Sequence, residues 1–237
     1  MPSSLPSAAQ PALSAIAAGR RTRIKICGMT READIDTAVQ EGADALGFVF
    51  FEASRRYVSP DRAAQLRHRI PAFVDVVALF VNADTALIRE VQDKVAPELL
   101  QFHGDETPEA CQRHGQRFLR AFRIGGPALP DAAAVAATCQ HWEAASAWLF
   151  DSDSTGYGGS GHGFDHDLLD AVSTLPTTRP IILAGGLKPD NVSQAIARTR
   201  PWAVDVSSGV ESAPGEKSAA SIQAFCQAVR AADSLAD

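Results

Sequence analysis

The sequence predicts an α/β protein built as a single-domain (βα)8 barrel, the TIM-barrel architecture. Three observations predict it. Short apolar runs rich in β-branched and aromatic residues recur eight times, the pattern of parallel strands covered on both faces. Amphipathic stretches carrying helix start and stop residues separate them. The 237-residue chain has the length of one such barrel, with no composition break between 22 and 232 to mark a second domain. Regular βα alternation at that length favours closure into a barrel over an open, doubly wound sheet.

Residues 1–21 are rich in Ala, Ser and Pro. They lack the positive n-region and unbroken apolar stretch of a signal peptide and read as a flexible extension. RIKIC at 23–27 is the first strand, followed by the helix TREADIDTAVQEG at 30–42. There Thr30 is the candidate N-cap and Gly42 the stop. ALGFVF at 45–50 is the second strand, and SPDRAAQLRHRI at 59–70 follows it with Ser59 as cap and Pro60 at the first helical position. VDVVALFV at 74–81 precedes NADTALIREVQDKV at 82–95, and LLQF at 99–102 precedes DETPEACQRHG at 105–115. FLRAF at 118–122 is strand five. Its helix falls within the Ala-rich stretch at 125–142, behind a loop with two prolines. WLF at 148–150 leads into a glycine-rich loop, and IILA at 181–184 into KPDNVSQAIARTR at 188–200. AVDV at 203–206 is strand eight. GEKSAASIQAFCQAVRAA at 215–232 closes the barrel with apolar positions at helical spacing, and 233–237 is a tail.

A formal net charge of −6 argues against nucleic-acid and anionic-membrane partners, which need a basic surface, while leaving room for a local cationic pocket. No apolar run approaches the roughly 20 residues that span a bilayer. The four cysteines Cys27, Cys111, Cys139 and Cys226 form no CxxC pair and no zinc spacing. They read as reduced thiols of a cytoplasmic protein. P-loop, Rossmann, nucleophile-elbow and HExxH motifs are absent.

In a barrel of this kind the active site lies at the C-terminal ends of the strands. The pairs Gly185-Gly186 and Ser208-Gly209 follow strands seven and eight, where barrels commonly bind phosphate through backbone N–H groups. One glycine pair alone would read as a tight turn; two after consecutive late strands point to an anion. Cys27 ends strand one and shares a face with Lys25. It is either a small hydrophobe or, with both side chains inward, a thiol whose pKa the lysine lowers into use as a base. Asp151 ends strand six and is either a loop cap or a general acid. One of Arg55 and Arg56 suits a carboxylate clamp, leaving the other in solvent. His103 lies near the mouth.

The order of these segments carries a resemblance. K-I-C-G-M-T stands at 25–30, G-A-D-A-L-G-F-V-F at 42–50, S-R-R-Y-V-S-P at 54–60 and Q-F-H-G at 101–104. An Asp-led loop with G-Y-G-G-S-G runs over 151–161, A-G-G-L-K-P-D-N-V over 184–192, V-D-V-S-S-G-V-E over 204–211 and P-G-E-K-S over 214–218. Together they resemble the phosphoribosylanthranilate isomerase family over nearly the whole chain beyond the extension. Phe102 departs from the common Leu, and the helix-five region matches poorly.

The resemblance implies an Amadori rearrangement in tryptophan biosynthesis, turning N-(5-phosphoribosyl)anthranilate into 1-(2-carboxyphenylamino)-1-deoxyribulose 5-phosphate. It assigns Asp151 as general acid and Cys27 as general base. Arg56 becomes the clamp for the anthranilate carboxylate. Gly185, Gly186, Ser207, Ser208 and Gly209 become the phosphate cradle. His103 and Asp205 are expected to contact the substrate. No cofactor or metal is implied, the partner is a small phosphorylated substrate, and the protein is expected to be a monomer or homodimer. Two rivals stand beside this reading: the histidine-pathway aminoaldose isomerase, which carries an aspartate where Cys27 stands, and a non-catalytic phospholigand-binding barrel, which needs neither Cys27 nor Asp151.

Overall fold

A computed structural model describes residues 21–152 and 164–234. In order, the elements are β1 (Arg23–Cys27), α1 (Glu32–Gln40), β2 (Ala45–Val49), α2 (Pro60–Arg67), β3 (Asp75–Phe80), α3 (Thr85–Val95), β4 (Leu99–Phe102) and α4 (Pro108–Gln112). Then come β5 (Phe118–Ile124), α5 (Ala132–Cys139), β6 (Ala147–Ser152), α6 (Asp170–Ser173), β7 (Ile181–Leu183), α7 (Val192–Thr199) and β8 (Ala203–Val206). A two-stranded antiparallel pair, β9 (Glu211–Ala213) and β10 (Glu216–Lys217), precedes the last helix, α8 (Ala219–Ser234). Strands β1 to β8 close into a parallel barrel, with β1 bonded to both β2 and β8.

The two-residue period of the strands sorts side chains into two compartments. Ile24, Ile26, Phe48, Phe80, Phe102, Trp148 and Phe150 point outward and pack under the helices with Ile35, Leu66, Val91, Ile222 and Phe225. The alternate residues fill the barrel: Val77, Leu119, Ala121, Ala147, Leu149, Ile182 and Ala203 form its floor. Cys27, Val49, Leu79 and Val81 form an apolar patch nearer the C-terminal mouth. Phe102 has its ring 6.2 Å from Phe80 and 5.7 Å from Phe118. An aromatic fills this gap between strands three and five, which accounts for its place where leucine is common.

The predicted caps hold in part. Ser59 accepts from Arg62 N at 3.2 Å with Pro60 behind it. Gly42 ends α1 with φ +73°. Thr30, however, does not cap α1: Arg31 occupies that position without a side-chain bond, and the Thr30 hydroxyl donates to the Gly215 carbonyl at 2.7 Å. The fifth helix starts at Ala132, capped by Asp131, which accepts from Ala134 N at 2.8 Å. Between β6 and β7 stand a 3-10 turn over His166–Leu169 and the short α6. Residues 215–218 are not the first turn of the last helix. Glu216 and Lys217 pair with β9, and Ser218 begins α8 by accepting from Ser221 N through its hydroxyl at 3.3 Å.

At the other end α8 runs to Ser234, past 232. Asp233 accepts from the Thr22 N–H at 2.8 Å and its hydroxyl at 2.7 Å, tying the last helix to the start of β1. Arg21 is paired with Asp44. The rest of the predicted extension, the glycine loop at 153–163 and residues 235–237 lie outside the described residues. Among the described residues no helix is long and apolar enough to cross a membrane.

Candidate active site

The ten residues singled out from sequence line one pocket at the C-terminal mouth of the barrel: Cys27, Arg56, His103, Asp151, Gly185, Gly186, Asp205, Ser207, Ser208 and Gly209. Val49, Phe51, Leu79 and Val81 supply an apolar wall beside them.

Cys27 is placed there by strand geometry. It faces Gly47 across the β1–β2 register, and a Cβ on Gly47 would lie 2.7 Å from the Cys27 sulfur. Gly28 then turns the chain at φ +79°, with Arg56 lying across the space a side chain would fill. Lys25 does face inward with Cys27, but its ammonium is held by both carboxylate oxygens of Asp205 at 2.9 Å. Burial is the largest effect and works against that ammonium, yet the Asp205 and Cys27 charges and the hydrogen bonds to both together outweigh it and keep the lysine pKa above its usual value. For Cys27 the balance differs from the sequence expectation. Burial pushes the thiol pKa up, and the Lys25 and Lys217 charges offset only part of it. The thiol form therefore prevails at neutral pH.

On the far side of the mouth, separated from β1 by β7 and β8, Asp151 is the last residue but one of β6. Its Oδ1 accepts from Ser152 N at 2.8 Å. Gly185, with φ +77°, leaves room for it, since a Cβ there would lie 3.0 Å from that oxygen and 2.5 Å from Ser152 N. His103 Nε2 stands 3.4 Å from Asp151 Oδ2, near enough for ionic attraction but without hydrogen-bond geometry. His103 Nδ1 is 3.3 Å from Gln101 Nε2. Both side chains are buried at the pocket wall.

Arg56 is the inward member of its pair; Arg55 is exposed. The guanidinium donates from Nε and Nη2 to the two oxygens of Glu211 at 2.7 and 2.9 Å. Glu211 also accepts from Lys217 Nζ at 2.9 Å. Burial of Glu211 raises its pKa, but the Arg56 bonds and the Lys217 charge together bring it below the usual carboxylate range. Among the described residues Arg56 Nη1 and the second hydrogen of Nη2 have no acceptor, an edge with the geometry to take a carboxylate through two parallel bonds.

The glycine turns are tight turns at the pocket mouth. Gly185 and Gly186 adopt φ of +77° and +65°. Asn191 braces that turn, accepting from Lys188 N at 2.8 Å and donating to the Gly186 carbonyl at 2.9 Å. After β8, Ser207 leads into a one-turn 3-10 helix, Ser208–Val210, whose first bond is Val210 N to Ser207 O at 3.4 Å. The N–H groups of Ser208 and Gly209 precede that bond and have no acceptor within the turn. A Cβ on Gly209 would lie 1.9 Å from the Leu187 carbonyl, so the two turns meet backbone to backbone.

The sequence did not single out Gln101, which lines the pocket, nor Glu211, Lys217 and Asn191, which bond the lining residues Arg56, Ser207 and Gly186. All four stand in the quoted motifs, but nothing in spacing reveals that Glu211 bridges Arg56 and Lys217, because that bond joins positions 155 apart in the chain.

Comparison with known proteins gives a consistent result. The sequence model of the family described as "N-(5'phosphoribosyl)anthranilate (PRA) isomerase" matches residues 24–228. The N-(5'-phosphoribosyl)anthranilate isomerase of Bordetella bronchiseptica is 61% identical over 216 residues, covering 91% of this chain and 99% of that protein. The crystal structure of phosphoribosyl anthranilate isomerase from Thermotoga maritima superposes with a TM-score of 0.79 at 36% identity, covering 89% of this chain and 99% of that one. A phosphoribosyl anthranilate isomerase in complex with reduced 1-(o-carboxyphenylamino)-1-deoxyribulose 5-phosphate superposes with a TM-score of 0.75 at 32% identity, over 89% and 99% of the two chains.

Proposed function

The chain belongs to the N-(5'-phosphoribosyl)anthranilate isomerase family, and we propose that its pocket performs the aminoaldose-to-aminoketose rearrangement with Asp151 as acid and Cys27 as base. The protein is an isomerase of tryptophan biosynthesis. The substrate carries a carboxylate on an aromatic ring at one end and a phosphate at the other. The phosphate lies on the turns at Gly185-Gly186 and Ser207-Ser208-Gly209, against backbone N–H groups. The ring carboxylate lies on the free edge of Arg56, with the ring against Phe51 and Leu79.

Asp151 protonates the furanose oxygen as the C1–O bond breaks, and the sugar opens to a protonated Schiff base. The Cys27 thiolate then removes the proton from C2, the electron pair flows toward the Schiff-base nitrogen, and an enolamine forms. Tautomerisation gives the ketone, and proton return restores both groups. The cationic Schiff base itself favours the thiolate that burial disfavours. His103 Nε2, unbonded 3.4 Å from Asp151, takes a sugar hydroxyl beside the acid. Asp205 holds Lys25 under the reacting carbons, and its remaining lone pairs face the pocket. Every group in this scheme comes from one chain, so a monomer and a homodimer serve equally. A cytoplasmic location suits four free, buried cysteines.

The observation that carries this reading is the convergence of Cys27 and Asp151, from β1 and β6, on one mouth that also holds Arg56 and two anion-ready turns. The test generates the unstable substrate in place from anthranilate and phosphoribosyl pyrophosphate with the preceding transferase, and follows the loss of its fluorescence. Wild type accelerates the loss, and Cys27→Ala and Asp151→Ala each abolish the acceleration while still binding a product analogue. Near-normal turnover by either variant removes that residue from its role.

A further inference from the structure

The acid/base scheme leaves Glu211 and Lys217 without a part. Their side chains are 6% and 0% exposed, on the antiparallel β9–β10 pair at the barrel rim. Burying two charges costs desolvation that a well-packed apolar pair avoids, so stability alone does not account for them. Their bonds reach both anion-binding stations. Glu211 grips Arg56 Nε and Nη2 at 2.7 and 2.9 Å. Lys217 Nζ donates to Glu211 at 2.9 Å, to the Ser207 carbonyl at 3.1 Å and to the Ser207 hydroxyl at 3.4 Å. The Ser207 hydroxyl donates in turn to the Cys27 carbonyl at 3.0 Å. The Lys217 N–H is fixed to Asp34 at 3.2 Å, so β10 is anchored to α1.

We propose that Lys217 is a positioning residue which, through Glu211, sets the span between the Arg56 guanidinium and the turn at Ser207, so that a ligand with two anionic ends is held as one unit against Cys27. The inference rests on the assignment of Arg56 to the carboxylate and Ser207 to the phosphate. Two anions joined in one molecule bind more tightly than either alone only when their stations stand at the matching span and stay there. The linkage of buried charges ties the Arg56 loop to the turn at Ser207.

The test compares wild type, Lys217→Met and Glu211→Gln as full chains. Titration calorimetry uses three probes: reduced 1-(o-carboxyphenylamino)-1-deoxyribulose 5-phosphate, inorganic phosphate and anthranilate. Both variants are expected to lose at least about tenfold in affinity for the two-ended probe, the scale of a charged hydrogen bond. Phosphate alone should change less than about threefold, and the loss in turnover should fall on KM more than on kcat. Unchanged affinity for the two-ended probe overturns the proposal. So does an equal weakening for phosphate alone, which makes Lys217 a mere support of the phosphate turn. If Lys217→Met does not fold, the isosteric Glu211→Gln decides by the same criteria. Wild type that fails to bind the two-ended probe refutes the assignment of the stations themselves, and this proposal with it.

Discussion

Gly47→Ala tests whether the placement of Cys27 depends on the absence of a side chain on the neighbouring strand. The added Cβ would stand 2.7 Å from the Cys27 sulfur, 3.2 Å from its Cα and 3.3 Å from its Cβ. Restoring an ordinary van der Waals separation requires the sulfur to move by about 0.7 Å. Rotation about χ1 relieves only the sulfur. The Cys27 Cα belongs to the backbone, and β1 is held between β2 and β8. The methyl group is therefore accommodated by a shift of Cys27 as a whole. Overpacking of this kind costs about 1–3 kcal/mol of stability. A displacement approaching 1 Å at a reacting group costs on the order of 100-fold in rate. The added methyl meets Cys27 first, and the Ser207 hydroxyl bonded to the Cys27 carbonyl follows only in part, so the loss falls on kcat more than on KM. The fluorescence assay measures it, and urea unfolding measures stability on the same sample. Turnover within about threefold of wild type, from a protein of unchanged stability, would show that Gly47 does not set the position of the base.

Two further outcomes follow from buried charge. Lys25→Met strands the Asp205 carboxylate inside the barrel, and urea denaturation should show a loss of about 3–5 kcal/mol, largely recovered in the double variant Lys25→Met/Asp205→Leu; a loss under about 1 kcal/mol for the single variant contradicts the pairing. The rate at which iodoacetamide inactivates the free enzyme follows the Cys27 thiolate, whose pKa burial raises. The thiolate fraction grows as pH rises toward that raised value, so inactivation should still be accelerating beyond about pH 8.5, the ordinary thiol value. A plateau reached by pH 7 would mean that Lys25 and Lys217 overcome the burial of the thiol.

The strand order was legible without coordinates, because it rests on local rules; those rules place Cys27 and Asp151 at strand ends, and the roles proposed for them come from the family resemblance. Period-two alternation forces Lys25 and Cys27 to one face. Glycine pairs mark turns that only glycine enters easily, and Ser59-Pro60 announces a helix start by its own chemistry. Where local rules are silent or conflict, neighbours distant in the chain decide. Ser-Ala-Ala-Ser after Lys217 continues a helical pattern, yet the first turn is given up because the lysine side chain is drawn inward to Glu211 and Ser207. Thr30 has the chemistry of a cap but finds the Gly215 carbonyl instead. Lys25 was near Cys27 in either picture; that its charge is taken by Asp205 emerges only when β8 closes on β1. A strand or a cap is decided within a few residues, whereas the charge a thiol feels depends on every group folded around it, and closure of the barrel brings those groups together from positions as far apart as 25 and 205.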